Sequence, residues 1–214
     1  ISNKNIVLAV TGGIAAYKSA ILVRRLKDAG FNVRVVMTQG AQAFITPLTF
    51  QALSGNPVHT ELLNPEAEAG MGHIELARWA DLLLVAPASC DILAKFAAGL
   101  ADDLLSTLYL ATPCPVWVVP AMNQQMWAAK ATQRNLNTLV EDGVHVIMPD
   151  AGSQACGDVG LGRMPEPEDL AVKVTQYFHQ AQRAIAEKFG LLADKHVVIT
   201  AGPTREAMDP VRYI

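Results

Sequence analysis

Apolar residues along this chain fall into short, nearly continuous runs, separated by longer stretches where they recur every three or four positions. The runs at 5–10, 32–37, 82–86, 115–119, 144–148 and 196–200 have the length and β-branched content of strands covered on both faces. Helical periodicity marks 15–29, 92–99, 103–111, 132–142 and roughly 168–189. Such alternation calls for parallel strands joined by right-handed helical crossovers. The expected fold class is α/β: a three-layer, Rossmann-like or flavodoxin-like parallel sheet with helices on both faces.

Two regions break the rhythm. Residues 46–72 contain Pro47, Gly55, Pro57 and Pro65 and read as helix, loop and exposed excursion. Residues 149–167 are rich in Gly and Pro without helical spacing and read as a long loop. The division falls near 190–194, giving a domain of residues 1–190 and, over 191–214, the opening of a second nucleotide-binding domain.

At 214 residues, 51% hydrophobic, the chain is long enough to bury a substantial core. Its formal charge of -3 lacks the basic excess of a nucleic-acid binder, so no nucleic-acid partner is expected. Apolar runs such as 82–87 are too short to span a bilayer, and the first ten residues show no signal peptide, so no membrane partner is expected either. Cys90, Cys114 and Cys156 form no CxxC pair, which fits a reduced, cytoplasmic setting and no metal site.

Candidate chemistry collects just after the strand-like runs. Thr11-Gly12-Gly13-Ile14-Ala15-Ala16-Tyr17-Lys18 is either a phosphate cradle at a helix N-terminus or a plain tight turn; Lys18, one turn in, reads as solvated. Thr38 closes the second run at the sheet edge where ligands of such folds bind, but it is equally an ordinary helix cap. His73 opens a helix as a capping residue or as a general base titrating near neutrality. In Ala86-Pro87-Ala88-Ser89-Cys90-Asp91, Pro87 ends the strand, Ser89 caps the next helix, and the small side chains would let a flat ring approach the backbone. Asn123 and Gln124 can hydrogen-bond a carboxylate or amide, whereas Met122, Met126 and Trp127 read as packing residues. Ala155-Cys156-Gly157-Asp158-Val159-Gly160-Leu161-Gly162-Arg163-Met164 reads as a mobile flap whose thiol is either a proton donor or inert.

Taken in order, Gly12-Gly13-Ile14-Ala15, Gly72-His73, Ala86-Pro87-Ala88-Ser89, Pro120-Ala121-Met122-Asn123 and Ala155-Cys156-Gly157-Asp158 resemble the homo-oligomeric flavin-containing cysteine decarboxylases. The similarity covers about residues 5–190 and is greatest to the bacterial bifunctional members, which join a phosphopantothenoylcysteine decarboxylase to a phosphopantothenate–cysteine ligase. Residues 199–206 resemble the opening of that ligase, whose CTP-binding and catalytic segments are expected beyond Ile214. One departure is that the segment some relatives write PASAN reads Pro87-Ala88-Ser89-Cys90-Asp91.

This resemblance implies FMN as cofactor, held by Gly12, Gly13, Ile14 and Ala15 at its phosphate, with Thr38, Phe44, Pro87, Ala88, Ser89 and Cys90 around it. It implies His73 as catalytic base, Asn123 as carboxylate anchor and Cys156 as the acid that reprotonates the product. Met122, Ala155, Gly157 and Asp158 complete the substrate site. The implied substrate is the small molecule 4'-phosphopantothenoyl-L-cysteine. Its decarboxylation needs an electron sink, which hydride loss from Cβ creates as a thioaldehyde; CO2 loss then leaves an enethiolate. Homotrimers, assembling further into dodecamers, are implied too, with His73 meeting the flavin of a neighbouring protomer. Rival readings are a flavin prenyltransferase, a non-catalytic flavin-binding regulatory subunit and a flavodoxin-type carrier. None of these needs His73, Asn123 and Cys156 together.

Overall fold

The computed structural model describes residues 3–62 and 72–188. The expected strand at 196–200, the opening of a second domain after 190 and part of the 46–72 excursion lie outside the described residues. The first two strands form within the limits read from sequence, as β1 (Asn5–Val10) and β2 (Asn32–Met37). They are followed by a short β3 (Val58–His59), then β4 (Leu82–Ala88), β5 (Val116–Pro120) and β6 (His145–Val146). These six strands are parallel and ordered β3-β2-β1-β4-β5-β6.

The connecting helices are α1 (Ala16–Asp28), α2 (Gln39–Gln42), α3 (Pro47–Ser54), α4 (His73–Trp79) and α5 (Cys90–Ala98). Next come α6 (Leu104–Ala111), α7 (Gln124–Ala128), α8 (Lys130–Glu141) and α9 (Pro167–Lys188). Successive strand residues point to opposite faces. Val7, Ala9, Leu83 and Val85 therefore face one way, into a cluster with Leu76 of α4, Ile92 and Phe96 of α5, Leu105 of α6 and Leu139 of α8. Ile6, Leu8 and Val10 are fully buried on the other side, where α1 packs on the sheet with Leu22, Val23 and Leu26 buried. A fully buried leucine or isoleucine contributes about 1.5–3 kcal/mol, so the sheet with its two helical layers dominates the stability.

Helix ends follow local chemistry. Ser89 caps α5 by accepting from the Ile92 amide at 3.3 Å, and Gly99 ends that helix at φ 67°. Asp103 and Ser106 form a reciprocal capping box on α6.

Three expectations are corrected. Pro87 does not end the fourth strand: β4 runs through a cis Ala86–Pro87 peptide to Ala88, and the pairing with β5 shifts between Val85 and Ala88. The missing proline N–H falls where the ladder skips, so the strand loses no bond there. The 149–167 region is not an irregular loop but contains an antiparallel ribbon, β7 (Asp150–Ser153) with β8 (Val159–Arg163). Finally, the strand expected at 144–148 shrinks to two paired residues at the sheet edge.

The chain divides into two units, Ile1–Gln176 and Tyr177–Ile214. Of the second, the described part is helical, residues 177–188 of α9. Among the described residues no helix is long and apolar enough to cross a membrane.

Candidate active site at the carboxyl ends of the strands

Connections leave β1 toward β2 and β4 toward β5, so the strand order reverses direction between β1 and β4. The crevice beyond the carboxyl ends of such a pair is where open α/β sheets bind ligands. A cavity of about 500 Å³ lies there, lined by Gly12–Ala15 after β1, Ser89 and Cys90 after β4, and Ala121–Asn123 after β5. The ribbon supplies the opposite wall through Ser153, Gln154, Ala155, Cys156 and Gly162. That volume is within the range of small-molecule and cofactor sites.

The strand ends are tied together by Thr11. Its buried hydroxyl donates to the Pro87 carbonyl at 2.7 Å and accepts from the Ser89 amide at 2.9 Å. Behind the turn, a Cβ on Gly12 would lie 3.0 Å from the Gly40 carbonyl carbon, so only glycine permits this approach of backbones. A Cβ on Gly13 would meet nothing within 4 Å. At the start of α1, Ala15 offers no side-chain cap and the first turn holds no acidic residue. The Ala16 and Lys18 amides already donate to the Gly13 and Ala15 carbonyls at 3.0 Å, so the groups left for an anion such as a phosphate are the remaining amides of the turn, which no side chain caps.

Lys18 is not solvated, as the sequence suggested. It is buried, and its Nζ donates to the Met164 carbonyl and to Glu166 Oε1, both at 2.8 Å. The start of α1 is thereby joined to the segment that leaves the ribbon.

Asn123 caps α7, with its Oδ1 accepting from the Gln125 amide at 2.8 Å. That contact fixes the amide orientation and turns Nδ2 toward the ribbon. There Nδ2 donates to Asp158 Oδ2 at 2.8 Å and lies 3.4 Å from both Cys156 Sγ and Gln154 Oε1. The Cys156 thiol points at the same Asp158 oxygen, at 3.5 Å. Gln154 fastens the ribbon to the β5 loop, accepting from the Gln124 amide at 3.0 Å and donating to the Met122 and Leu161 carbonyls at 3.3 and 3.2 Å. Gly162, at φ +137°, sits where a Cβ would collide with the Met122 carbonyl oxygen.

The cavity thus gathers Gly12, Gly13, Ile14, Ala15, Ser89, Cys90, Met122, Asn123, Ala155 and Cys156 from the residues singled out in sequence. Asp158 joins through its hydrogen bonds. His73, Thr38, Phe44, Pro87, Ala88 and Gly157 do not line it. His73 opens α4 and is half-buried, Thr38 caps α2, and Phe44 is exposed. Sequence reasoning gives Thr11, Tyr17, Gln154, Arg163 and Met164 no role of their own, though they stand in segments it singles out, and it assigns Met126 to packing although that residue is half-exposed and lines the cavity. Trp127 is buried as expected. A hydroxyl at a strand end was a usable signal for Thr11, whereas nothing local to Gln154 announces a cross-link. Among the described residues no group of three His, Cys, Asp or Glu side chains could hold a metal.

Comparison with known proteins agrees with this geometry. A family described as Flavoprotein matches residues 1–179, and one described as DNA/pantothenate metabolism flavoprotein C-terminal domain matches 192–214. The coenzyme A biosynthesis bifunctional protein CoaBC of Vibrio vulnificus is 57% identical over 214 residues, 100% of this chain and 51% of that protein. Those of Escherichia coli K12 and Bacillus subtilis are 55% and 46% identical, again over 100% of this chain and 51% of theirs. The chain therefore spans about half the length of the curated relatives it matches. Among solved structures, a PPC decarboxylase mutant complexed with pantothenoylaminoethenethiol superposes with a TM-score of 0.73 at 33% identity, covering 83% of this chain and 99% of that one. The FMN-dependent cysteine decarboxylase SpaF gives a TM-score of 0.71 at 32% identity, covering 84% and 97%. With a six-stranded parallel sheet, an uncapped glycine turn at its switch point and a family match over most of its length, the chain belongs to the flavoprotein family.

Proposed function

We propose that this chain binds FMN in the cavity and decarboxylates 4'-phosphopantothenoyl-L-cysteine to 4'-phosphopantetheine and CO2, a step of coenzyme A biosynthesis. The observation that carries this reading is the convergence on one cavity of the Gly12–Ala15 turn with Asn123 and Cys156. An anion cradle, an amide donor and a thiol are what a cofactor phosphate, a substrate carboxylate and a late protonation require. The names of the CoaBC relatives and of the decarboxylase structures support the same reading.

Bound FMN supplies the reversible two-electron chemistry that gives the departing CO2 an electron sink. The backbone of Gly12, Gly13, Ile14 and Ala15 would hold its phosphate and Ser89 and Cys90 would border its ring, with the buried Pro87 and Ala88 setting that wall from behind, where Thr11 holds the Pro87 carbonyl. Asn123 orients the substrate carboxylate from the end of β5. Cys156 delivers a proton to the substrate carbon, and Met122, Ala155, Gly157 and Asp158 bound the substrate as the ribbon excludes water and oxygen. His73 takes a proton from the substrate. His73 stands outside the cavity of its own chain and serves that of a neighbouring protomer in a homotrimer, itself able to assemble into a dodecamer, whereas Thr38, beside the Gly12 turn through Gly40, and Phe44 stay with the FMN of their own chain.

Where the chain continues as its relatives do, a CTP-dependent phosphopantothenate–cysteine ligase follows. The match over 192–214 and the bifunctional name of those relatives support this. The proposed setting is the cytoplasm, consistent with three unpaired cysteines.

A visible spectrum of the purified chain, followed by substrate addition and CO2 measurement, tests the proposal. A yellow protein releasing CO2 is expected. A yellow protein releasing none favours a non-catalytic flavin-binding role, and a colourless protein that is fully active overturns the reading.

A further inference from the structure

Asn123 carries the donor assigned above to the substrate carboxylate, and in this structure a carboxylate already sits on it. Asp158 Oδ2 lies 2.8 Å from Asn123 Nδ2 and also 3.5 Å from the Cys156 thiol. Asn123 cannot turn its amino group away without giving up the Gln125 amide that its Oδ1 accepts at 2.8 Å. The donor is therefore fixed and its acceptor is the variable. We propose that Asp158 is a built-in stand-in for the substrate carboxylate, holding Asn123 and Cys156 in their working orientation until the substrate displaces it.

Two carboxylates brought within a few ångströms at Asn123 Nδ2 repel each other; of its two protons one goes to Asp158, and the other faces Gln154 Oε1 and Cys156 Sγ at 3.4 Å. The groups hydrogen-bonded to Asp158 Oδ2 carry no cation, and the two cations that line the cavity, Lys18 and Arg163, both pair with Glu166. Binding thus requires Asp158 to withdraw, and its position permits this. It lies in the turn between β7 and β8, closed by the Gln154 amide donating to the Asp158 carbonyl at 2.8 Å, so its side chain can swing without breaking the ribbon ladder. The arrangement keeps the anchor preorganised before substrate arrives, at the cost of some affinity. It also disfavours ligands without a carboxylate, which cannot replace the bonds that Asp158 gives up. Product, having lost that group, is expelled as Asp158 returns.

This assignment rests on the decarboxylase reading, and its test separates the two. FMN-loaded chain is titrated with two probes: the serine analogue of the substrate, which keeps the carboxylate and lacks the thiol, and 4'-phosphopantetheine, which lacks the carboxylate. If Asp158 occupies Asn123 about nine-tenths of the time, Asp158→Ala binds the serine analogue about tenfold tighter. Its affinity for 4'-phosphopantetheine rises less, by about twofold at most, since that probe shares the phosphate but does not compete for Asn123. Asp158→Asn, which keeps the side-chain shape, falls between wild type and Asp158→Ala on the serine analogue, and retained flavin colour shows that both variants are folded. Equal or weaker binding of the serine analogue by both variants overturns the stand-in, as does an equal gain for both probes. Failure of the decarboxylase reading would instead be seen in the wild-type chain, as an absence of CO2 release.

Discussion

The Lys18 ammonium is buried 2.8 Å from the half-exposed Glu166 carboxylate, and it also holds the Met164 carbonyl oxygen at 2.8 Å. Lys18 follows the glycine turn within one helical turn, and Met164 follows the last ribbon strand. One cation thus joins the helix that follows the glycine turn to the segment that leaves the ribbon. Removing it leaves a buried carbonyl without its donor, a loss of about 1.5–3 kcal/mol for a hydrogen bond to a charged group. Lys18→Met is expected to lower urea stability by that amount and to release FMN more readily. Glu166→Gln should cost less, because its partner keeps Met164 and its own side chain is half in water. Equal losses for the two variants would show that the ion pair, not the buried carbonyl bond, carries the effect.

Gly12 and Gly13 are adjacent but should fail differently. At Gly12 a side chain meets the Gly40 backbone at 3.0 Å, so Gly12→Val is expected to destabilise the fold and lose flavin together. At Gly13 a Cβ meets nothing within 4 Å, so Gly13→Val should fold normally and fill the cradle instead. The expected result is an apo-protein melting temperature close to wild type, with FMN affinity reduced about tenfold or more, equivalent to at least ~1.4 kcal/mol. Unchanged affinity in Gly13→Val would place the phosphate elsewhere.

The alternation of apolar runs made the sheet legible, because strands buried on both faces leave little freedom in composition. Val7 and Leu84 could hardly be anything but core. The ribbon was not legible: glycines at 152, 157, 160 and 162 suppress the strand signal, yet Gly160 and Gly162 are what let β8 lie against Gln124 and Met122. For the cavity, strand-end chemistry pointed to Asn123, while Cys156, in a glycine-rich segment whose neighbours left its role open, was marked by the family resemblance. It could not reveal Lys18 or Gln154, whose partners are 148 and 30 positions away. Long-range hydrogen bonds leave no local periodicity to read.

Cys156 and His73 should separate into different steps of the proposed reaction. Cys156→Ser is expected to retain FMN, release CO2 and stall before the final protonation, so that CO2 exceeds 4'-phosphopantetheine. His73→Asn should also retain FMN but release no CO2. A well-placed general acid or base contributes about 10²–10⁴-fold, so either deficit is measurable in a single-turnover assay. If His73 serves a neighbouring protomer, mixing His73→Asn with Cys156→Ser chains restores activity to part of the sites. A mixed oligomer with no recovery would return His73 to the cavity of its own chain.

The pH dependence of stability should carry the signature of His59, which does not line the cavity. His59 ends β3, where its Nε2 is buried with no hydrogen-bond partner among the described residues. Burial first, and the neighbouring Arg34 cation second, hold its pKa below the ordinary 6.5. The fold therefore favours the neutral ring, while the unfolded chain protonates at the ordinary value. The stabilisation from this group is present above pH 6.5 and is lost as pH falls toward the lowered folded value, at no more than about 1.4 kcal/mol per pH unit. Asp103 adds a separate loss further into acid: burial pushes its carboxyl up, but the Ser106 amide and the Lys95 ammonium outweigh that and hold it below the usual carboxylate range. Urea titrations of wild type and His59→Gln, each at pH about 7.5, 6.5, 5.5 and 3, distinguish the two contributions. The His59→Gln curve should be flatter between about pH 6.5 and 5.5 and fall with wild type only at the most acid value. Parallel curves would mean that the His59 ring finds a proton acceptor in the folded chain and is not held neutral.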